Sequence, residues 1–275
     1  MDDIRESRAP APEAVRRAMV DAALAAYEDA GLSGLCAEGR WEAAVDAMRD
    51  LDLAAAGTPA IELDAGIARA VEAVASAPAP PPSGGSVAAA AGALSAALTQ
   101  MVAGLTAGRP KYADVAAEMQ AIAQRSASLA SELLTLVGRD AAAVDAVAAA
   151  YRLPKATEQE RSLRANAIEH TMRSATDAPL DIARASASVA DLAATVAERG
   201  NTNAVADAAV AALLAEAICR AAALTVRVNV PALRDAAAAR DLEREASGLA
   251  SVAAGAAARA AAVVQQVAGP SRDGT

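Results

Sequence analysis

The sequence predicts an all-α fold, an Ala-rich multi-helix bundle carrying an N-terminal helical hairpin extension. Three observations carry that reading. The chain of 275 residues is 55% hydrophobic, but chiefly through alanine, the strongest helix former. Aromatic residues make up 1% and phenylalanine is absent, so the Val/Ile/Tyr/Phe runs that favour strands are missing. The apolar residues between breakers recur at helical spacing.

Taken in order, residues 1–11 read as frayed. Pro10 and Pro12 open a first helix at about Glu13, with Val15, Ala18, Met19, Ala22 and Ala26 on one face and Gly31 as its stop. A short Leu-Cys turn between Gly34 and Gly39 leads into a second helix, Arg40–Leu51. Its Trp41, Val45 and Met48 share a side, and Trp41 reads as a packing anchor. Residues 1–55 thus form a hairpin extension whose role the sequence does not disclose. Ala54–Pro59 is the junction, and Ile61–Ala75 is another amphipathic helix through Ile67, Ala70, Val71 and Val74.

A Pro-rich lead-in then ends in Ser83-Gly84-Gly85-Ser86, and no charge appears from Val87 to Gly108. That run reads as the central, closely packed helix, with a Gly-Gly-Ser turn at its mouth whose free N–H groups can receive an anion. It is long enough to span a bilayer, but Ala, Gly, Ser, Thr and Gln give it a weak drive to insert, so no membrane contact is expected. Tyr112–Leu136 reads as a long helix, and Asp140 as the cap of a separate one, Ala141–Tyr151. Thr157 and Glu160 have capping-box spacing and open a helix through Met172. Asp177 and Pro179 open the next, which Gly200 stops after Arg199. Asn203 is the expected N-cap of Ala204–Asn229, Pro231 breaks that helix, and Ala232–Val267 is the last. Residues 60–268 make one helical domain, and 269–275 read as a disordered tail.

The net charge of -9 argues against nucleic-acid binding. Asp2, Asp3, Arg5 and Glu6 stand where a signal peptide would be apolar, so the cytoplasm is the expected compartment. Cys36 and Cys219 form no metal-type spacing, and one histidine, His170, cannot build a multi-histidine metal centre, so no metal is expected. His170 itself reads as a surface residue. Lys111 and Lys155 are the only lysines among 25 basic residues, which draws attention to both.

Five pieces stand in order: Pro82-Ser-Gly-Gly-Ser86, Lys111-Tyr112, Tyr151-Arg-Leu-Pro-Lys155, Gly200-Asn-Thr-Asn203 with Asp207, and Arg227-Val-Asn229. In this ordered set, roughly from Ala60 to Val267, the chain resembles the cyclodeaminase/cyclohydrolase family: the C-terminal domain of formiminotransferase-cyclodeaminase and free-standing bacterial methenyltetrahydrofolate cyclohydrolases. It departs from the family at Ser83, which replaces the first of three glycines, and at Val144, which replaces a common phenylalanine.

The resemblance implies an all-helical fold that forms a homodimer or a multiple of dimers. It implies a one-carbon tetrahydrofolate enzyme with no cofactor beyond its folate substrate. With no formiminotransferase domain in the chain, hydrolysis of 5,10-methenyltetrahydrofolate to 10-formyltetrahydrofolate is the first expectation. Closure of 5-formiminotetrahydrofolate with loss of ammonia is the alternative, and a non-catalytic helical interaction module the second. Both reactions pass through a tetrahedral carbon between two nitrogens and involve a delocalised cation, so a carboxylate and proton-moving groups are required. Asp207, Asp145 and Lys155 are the catalytic candidates. Gly84, Gly85, Ser86, Lys111, Tyr112, Arg152, Asn201, Asn203 and Asn229 are the candidates for holding substrate, with the lysines, Arg152 and the N–H groups after Gly85 facing the glutamate tail. Asp207 is the leading acid, because it lies alone between Arg199 and Glu216, one turn after Asn203.

Overall fold

The computed structural model describes residues 12–33, 35–51, 63–76 and 83–268. Among them are eight α-helices and no strand. The expected frayed start, the 54–59 junction and the tail after 268 lie outside the described residues. The chain divides into two units, Met1–Ala75 and Ser76–Thr275.

The first unit holds α1 (Pro12–Leu32), α2 (Ala37–Arg49) and α3 (Leu63–Ala75). The helices α1 and α2 pack together as the expected hairpin, with Ala30 and Ala44 buried. Arg40 clasps them: its Nε donates to the Tyr27 carbonyl at 3.1 Å, and its guanidinium lies 4.0 Å from the Tyr27 ring centre. Trp41 is not the anchor the sequence predicts. It is 61% exposed, and Ala44 takes the inward position on α2.

The second unit is an up-and-down bundle of α4 (Gly84–Ala107), α5 (Ala116–Tyr151), α6 (Glu158–Arg199), α7 (Val205–Asn229) and α8 (Ala236–Ala268). Single 3-10 turns at Pro110–Tyr112, Thr202–Ala204 and Val230–Ala232 link them. The helix at the centre is α6, which packs on α4, α5, α7 and α8 and buries Leu180, Ile182, Val189 and Val196. The uncharged α4 is less enclosed than its composition predicts. It buries Ala89, Ala93, Ala96, Thr99, Val102 and Thr106 and leaves Val87, Leu94, Met101 and Leu105 open. Small side chains let backbones come close: Ser95 Oγ on α4 donates to the Ala211 carbonyl on α7 at 2.7 Å. Three stretches, Gly84–Ala107, Thr202–Ala232 and Ala236–Val267, are long and apolar enough to cross a membrane by length and composition.

Two predicted helix breaks do not occur. Asp140 sits inside α5, because Leu133, Leu136, Ala143 and Ala150 continue one buried stripe past Gly138. Likewise α6 runs through Pro179 without ending. Proline has no N–H, so the Ala175 carbonyl loses its helical donor. The Asn229 side-chain amide supplies the replacement, donating to that carbonyl at 2.7 Å. The Thr157–Glu160 capping box forms as expected. Asn203 does not cap α7: Ala204 holds the N-cap position, and Asn201 organises the preceding turn by accepting the Asn203 N–H at 3.1 Å.

Candidate functional site

The predicted residues do not form one cluster in the chain. Most of them fall at the two ends of α4, whose 24 residues span about 36 Å.

At the N-terminal end, Ser83 caps α4 by accepting the Ser86 N–H at 3.2 Å. Asp140, 5% exposed, reaches across from α5 and bonds both serine hydroxyls, with Ser86 Oγ 2.8 Å from its Oδ2. Ser86 Oγ also lies 3.2 Å from the Val137 carbonyl. Gly85 is required by this close approach, since a Cβ there would stand 2.8 Å from Asp140 Oδ2 and nearer still to Oδ1. A helix N-terminus favours negative charge, and here the chain supplies its own. Gly85 and Ser86 therefore lie against an internal carboxylate, while Gly84, one residue earlier, is exposed. The Ser83 hydroxyl shares in this contact with Asp140.

At the C-terminal end, the Gly200–Asn203 loop docks onto α4. Thr106 Oγ1 accepts the Asn201 N–H at 3.0 Å while donating to the Val102 carbonyl at 2.8 Å. Tyr112 closes the same loop, its hydroxyl accepting the Thr202 N–H at 3.1 Å. The Thr202 hydroxyl and N–H, followed by the charge of Lys111, hold the Tyr112 phenol below its ordinary range. Lys111 Nζ lies 5.3 Å from the Tyr112 ring centre. Asn201 is buried in this network, whereas Asn203 and Asp207, one turn further on, are exposed. Among the described residues, the Asn203 and Asp207 side chains have no hydrogen-bond or ionic partner. The Lys111–Tyr112 turn and the Asn201–Asn203 loop are thus joined, with Asn203 and Asp207 exposed where α7 begins.

The remaining candidates lie elsewhere. Asp145 is exposed on α5, beyond Asp140, and Arg152 and Lys155 stand exposed in the turn that leads to α6. Asn229, predicted to hold substrate, is bonded to Ala175, and its neighbour Arg227 pairs with Glu243 at 3.2 Å.

Two clefts flank these positions. One, about 340 Å³, is lined by Asn166, Glu169, His170, Arg173, Leu233 and Asp235. Its polar groups largely answer one another: Arg234 donates to Asn166 and Glu169, Arg173 pairs with Asp177, and Asp235 caps the Ala237 and Ala238 N–H groups. The other, about 430 Å³, opens between α4 and α5 beside the Lys111 turn, with Gln100, Gln120 and Gln124 on its walls. None of these glutamines stands among the expected site residues. The available signal was Gln100, the one amide in the uncharged run, together with two more at i,i+4 spacing on the next helix.

Comparison with known proteins agrees with this frame. The family model described as formiminotransferase-cyclodeaminase matches residues 66–248. A methenyltetrahydrofolate cyclohydrolase of Methylorubrum extorquens is 44% identical over 171 residues, covering 62% of this chain and 82% of that protein. A formimidoyltransferase-cyclodeaminase of Mus musculus is 34% identical over 154 residues, or 56% of this chain, and the match spans only 28% of that longer protein. The crystal structure of a formiminotetrahydrofolate cyclodeaminase from Thermotoga maritima superposes with a TM-score of 0.65 at 26% identity, covering 72% of this chain and 95% of that one. From the ordered motifs, the helical bundle and these matches together, the chain belongs to the formiminotransferase-cyclodeaminase family.

Proposed function

We propose that the protein hydrolyses 5,10-methenyltetrahydrofolate to 10-formyltetrahydrofolate. The observation that carries this reading is the 44% identity to the Methylorubrum cyclohydrolase over 82% of that protein, against a 28% share of the two-activity mouse relative. Asp207 accepts a proton from the water that adds to the methenyl carbon. The resulting hydroxyl-bearing tetrahedral carbon collapses to the formyl group on N10. Its bond to N5 breaks as the hydroxyl proton passes to N5, and Asp207 releases its proton to solvent. Lys111 holds the carboxylates of the tail, and Asn203 orients the reacting edge. No metal or further cofactor is needed for these steps.

The protein acts as a homodimer. Val87, Leu94, Met101 and Leu105 on α4 lie beside Val210, Leu213, Leu214, Leu224 and Val228 on α7, and this exposed apolar face is of the kind that marks an interface. A two-fold axis across the middle of α4 sets the Gly84 end of one copy beside the Gly108 end of the other. Asp145, Arg152 and Lys155 then reach the substrate from the second copy. The compartment is the cytoplasm, without membrane or nucleic acid. Ion pairs down the α6–α8 side, such as Arg184–Glu245 and Arg259–Asp191, suit water rather than lipid.

A second reading, ring closure of 5-formiminotetrahydrofolate with release of ammonia, is favoured by the Thermotoga neighbour. Two assays on purified protein decide: loss of the methenyl chromophore, and ammonia release from formiminotetrahydrofolate. Chromophore loss above the spontaneous rate supports hydrolysis. Activity in neither assay would falsify both and leave a non-catalytic module.

A further inference from the structure

We infer that the groove between α4 and α5 is the seat of the pteridine ring, with Gln100, Gln120 and Gln124 reading its edge. This rests on the folate reading above.

The lining residues are Gln100, Gly104, Ala107 and Gly108 from α4 and Gln120, Ala123, Gln124 and Ala127 from α5. Each set follows helical spacing, so two stripes face each other across a floor of glycine and alanine. Such a floor is flat and apolar, and its volume of about 430 Å³ lies inside the roughly 300–1,000 Å³ range of small-molecule sites. Packing does not call for Gly104: a Cβ there would meet nothing within 4 Å. A glycine inside a helix is nonetheless unfavourable relative to alanine, and what it leaves here is open space above the floor.

The walls carry no charged side chain, which disfavours a phosphate or carboxylate. They carry three amides, each with two donors and an acceptor, and among the described residues none has a partner. The pyrimidine half of a 2-amino-4-oxotetrahydropteridine is flat and uncharged, and its edge alternates ring nitrogens, an amino group and a carbonyl. Amides match that alternation, and the apolar floor matches the ring face. The glutamate tail needs charge and finds Lys111 in the turn after Gly108.

The test uses the full chain and three variants: Gln120→Leu/Gln124→Leu, Gly104→Leu, and Gln159→Leu as an exposed control on α6. Fluorescence titration with 6-methyltetrahydropterin and with p-aminobenzoylglutamate reads the two halves of the substrate separately, and methenyltetrahydrofolate turnover gives KM and kcat. The expected result is binding of the pterin by the parent protein. Its affinity and 1/KM should fall about tenfold or more in the first two variants, with p-aminobenzoylglutamate binding unchanged and the control like the parent. Pterin binding that survives Gly104→Leu and the double variant overturns the inference, as does loss of p-aminobenzoylglutamate binding in its place. A change of molar mass by light scattering, with KM unmoved, assigns the groove to contacts between copies and also overturns it. If turnover is absent but the parent binds pterin and the variants do not, the groove assignment stands and the catalytic reading falls. If the parent neither binds nor turns over, both fall.

Discussion

The two ends of α4 look alike in sequence and differ in structure. Each joins glycine and hydroxyl residues to a nearby acid: Ser83, Gly85, Ser86 and Asp140 at one end, Thr106, Gly200, Asn203 and Asp207 at the other. At the first end the Ser83 and Ser86 hydroxyls are engaged by Asp140, which is buried. At the second, the network of Thr106, Asn201 and Tyr112 fixes the backbone and leaves Asn203 and Asp207 exposed and unpartnered. Sites need polar groups held in place and yet unsatisfied, which is the reason for proposing the chemistry at the second end and a structural role for the first.

The comparison is broken most directly at the acids. Asp207→Asn keeps size and helix position while removing the charge. Turnover should drop about a hundredfold or more, the scale of losing an acid/base group, with the melting temperature nearly unchanged. Near-normal turnover would move catalysis to the other end, with Asp145→Asn the next variant to make.

Joining the two ends across a dimer gives a second test. Lys155→Ala should cost about tenfold in kcat/KM, on the scale of one lost charged contact to a substrate. Coexpressed with Asp207→Asn, half the dimers are mixed, and each mixed dimer has one intact site. The mixture should then show roughly a quarter of parental activity, where simple averaging gives about a twentieth. Activity at the averaged value would mean that each copy works alone.

The closed end should respond in stability instead. Asp140→Asn removes the charge that satisfies the start of α4, and Gly85→Ala drives a methyl group into the same carboxylate. Each should lower unfolding free energy by about 1–3 kcal/mol in denaturant titration while residual folded protein keeps its turnover. A tenfold fall in kcat without loss of stability would make Asp140 a catalytic acid.

These predictions also show where the sequence was legible. Helical periodicity found the helical stretches of the second unit but divided α5 and α6 in two each, and the capping box at Thr157 was read correctly because both partners are local. Asp140 was misread as a cap, because its partners Ser83 and Ser86 lie more than fifty residues away and no local pattern reveals them. Asn203 was misread for the opposite reason. It has the right residue type one position before the helix, but Asn201 reaches the turn first. Charge depletion marked α4 as buried, yet lack of charge on an open face looks the same in sequence as lack of charge in a core.

The smallest effect separates the two thiols. Burial and the nearby Glu216 push Cys219 up to about 11, whereas exposed Cys36 is drawn below its usual 9.0 by the N–H groups of Gly39 and Glu38 at the start of α2. Native protein should label at one thiol per chain. Because Cys219 ionises later when folded than when unfolded, its contribution to stability is complete below pH 9 and is lost between about pH 9 and 11. Labelling of both thiols at neutral pH would contradict the buried placement.

The hydrogen bond from Asn229 to Ala175 bears on how the chain is assembled. During synthesis Ala175 is added 54 residues before Asn229, so the carbonyl orphaned by Pro179 must wait for its donor. Until then the longest helix has a weak joint at its middle. Arrival of the end of α7 splices the two halves into one rod, and the same bond lets fraying at that end loosen α6 internally rather than at its tip. The rigidity of the bundle's central member is thus conferred late, by a residue on another helix.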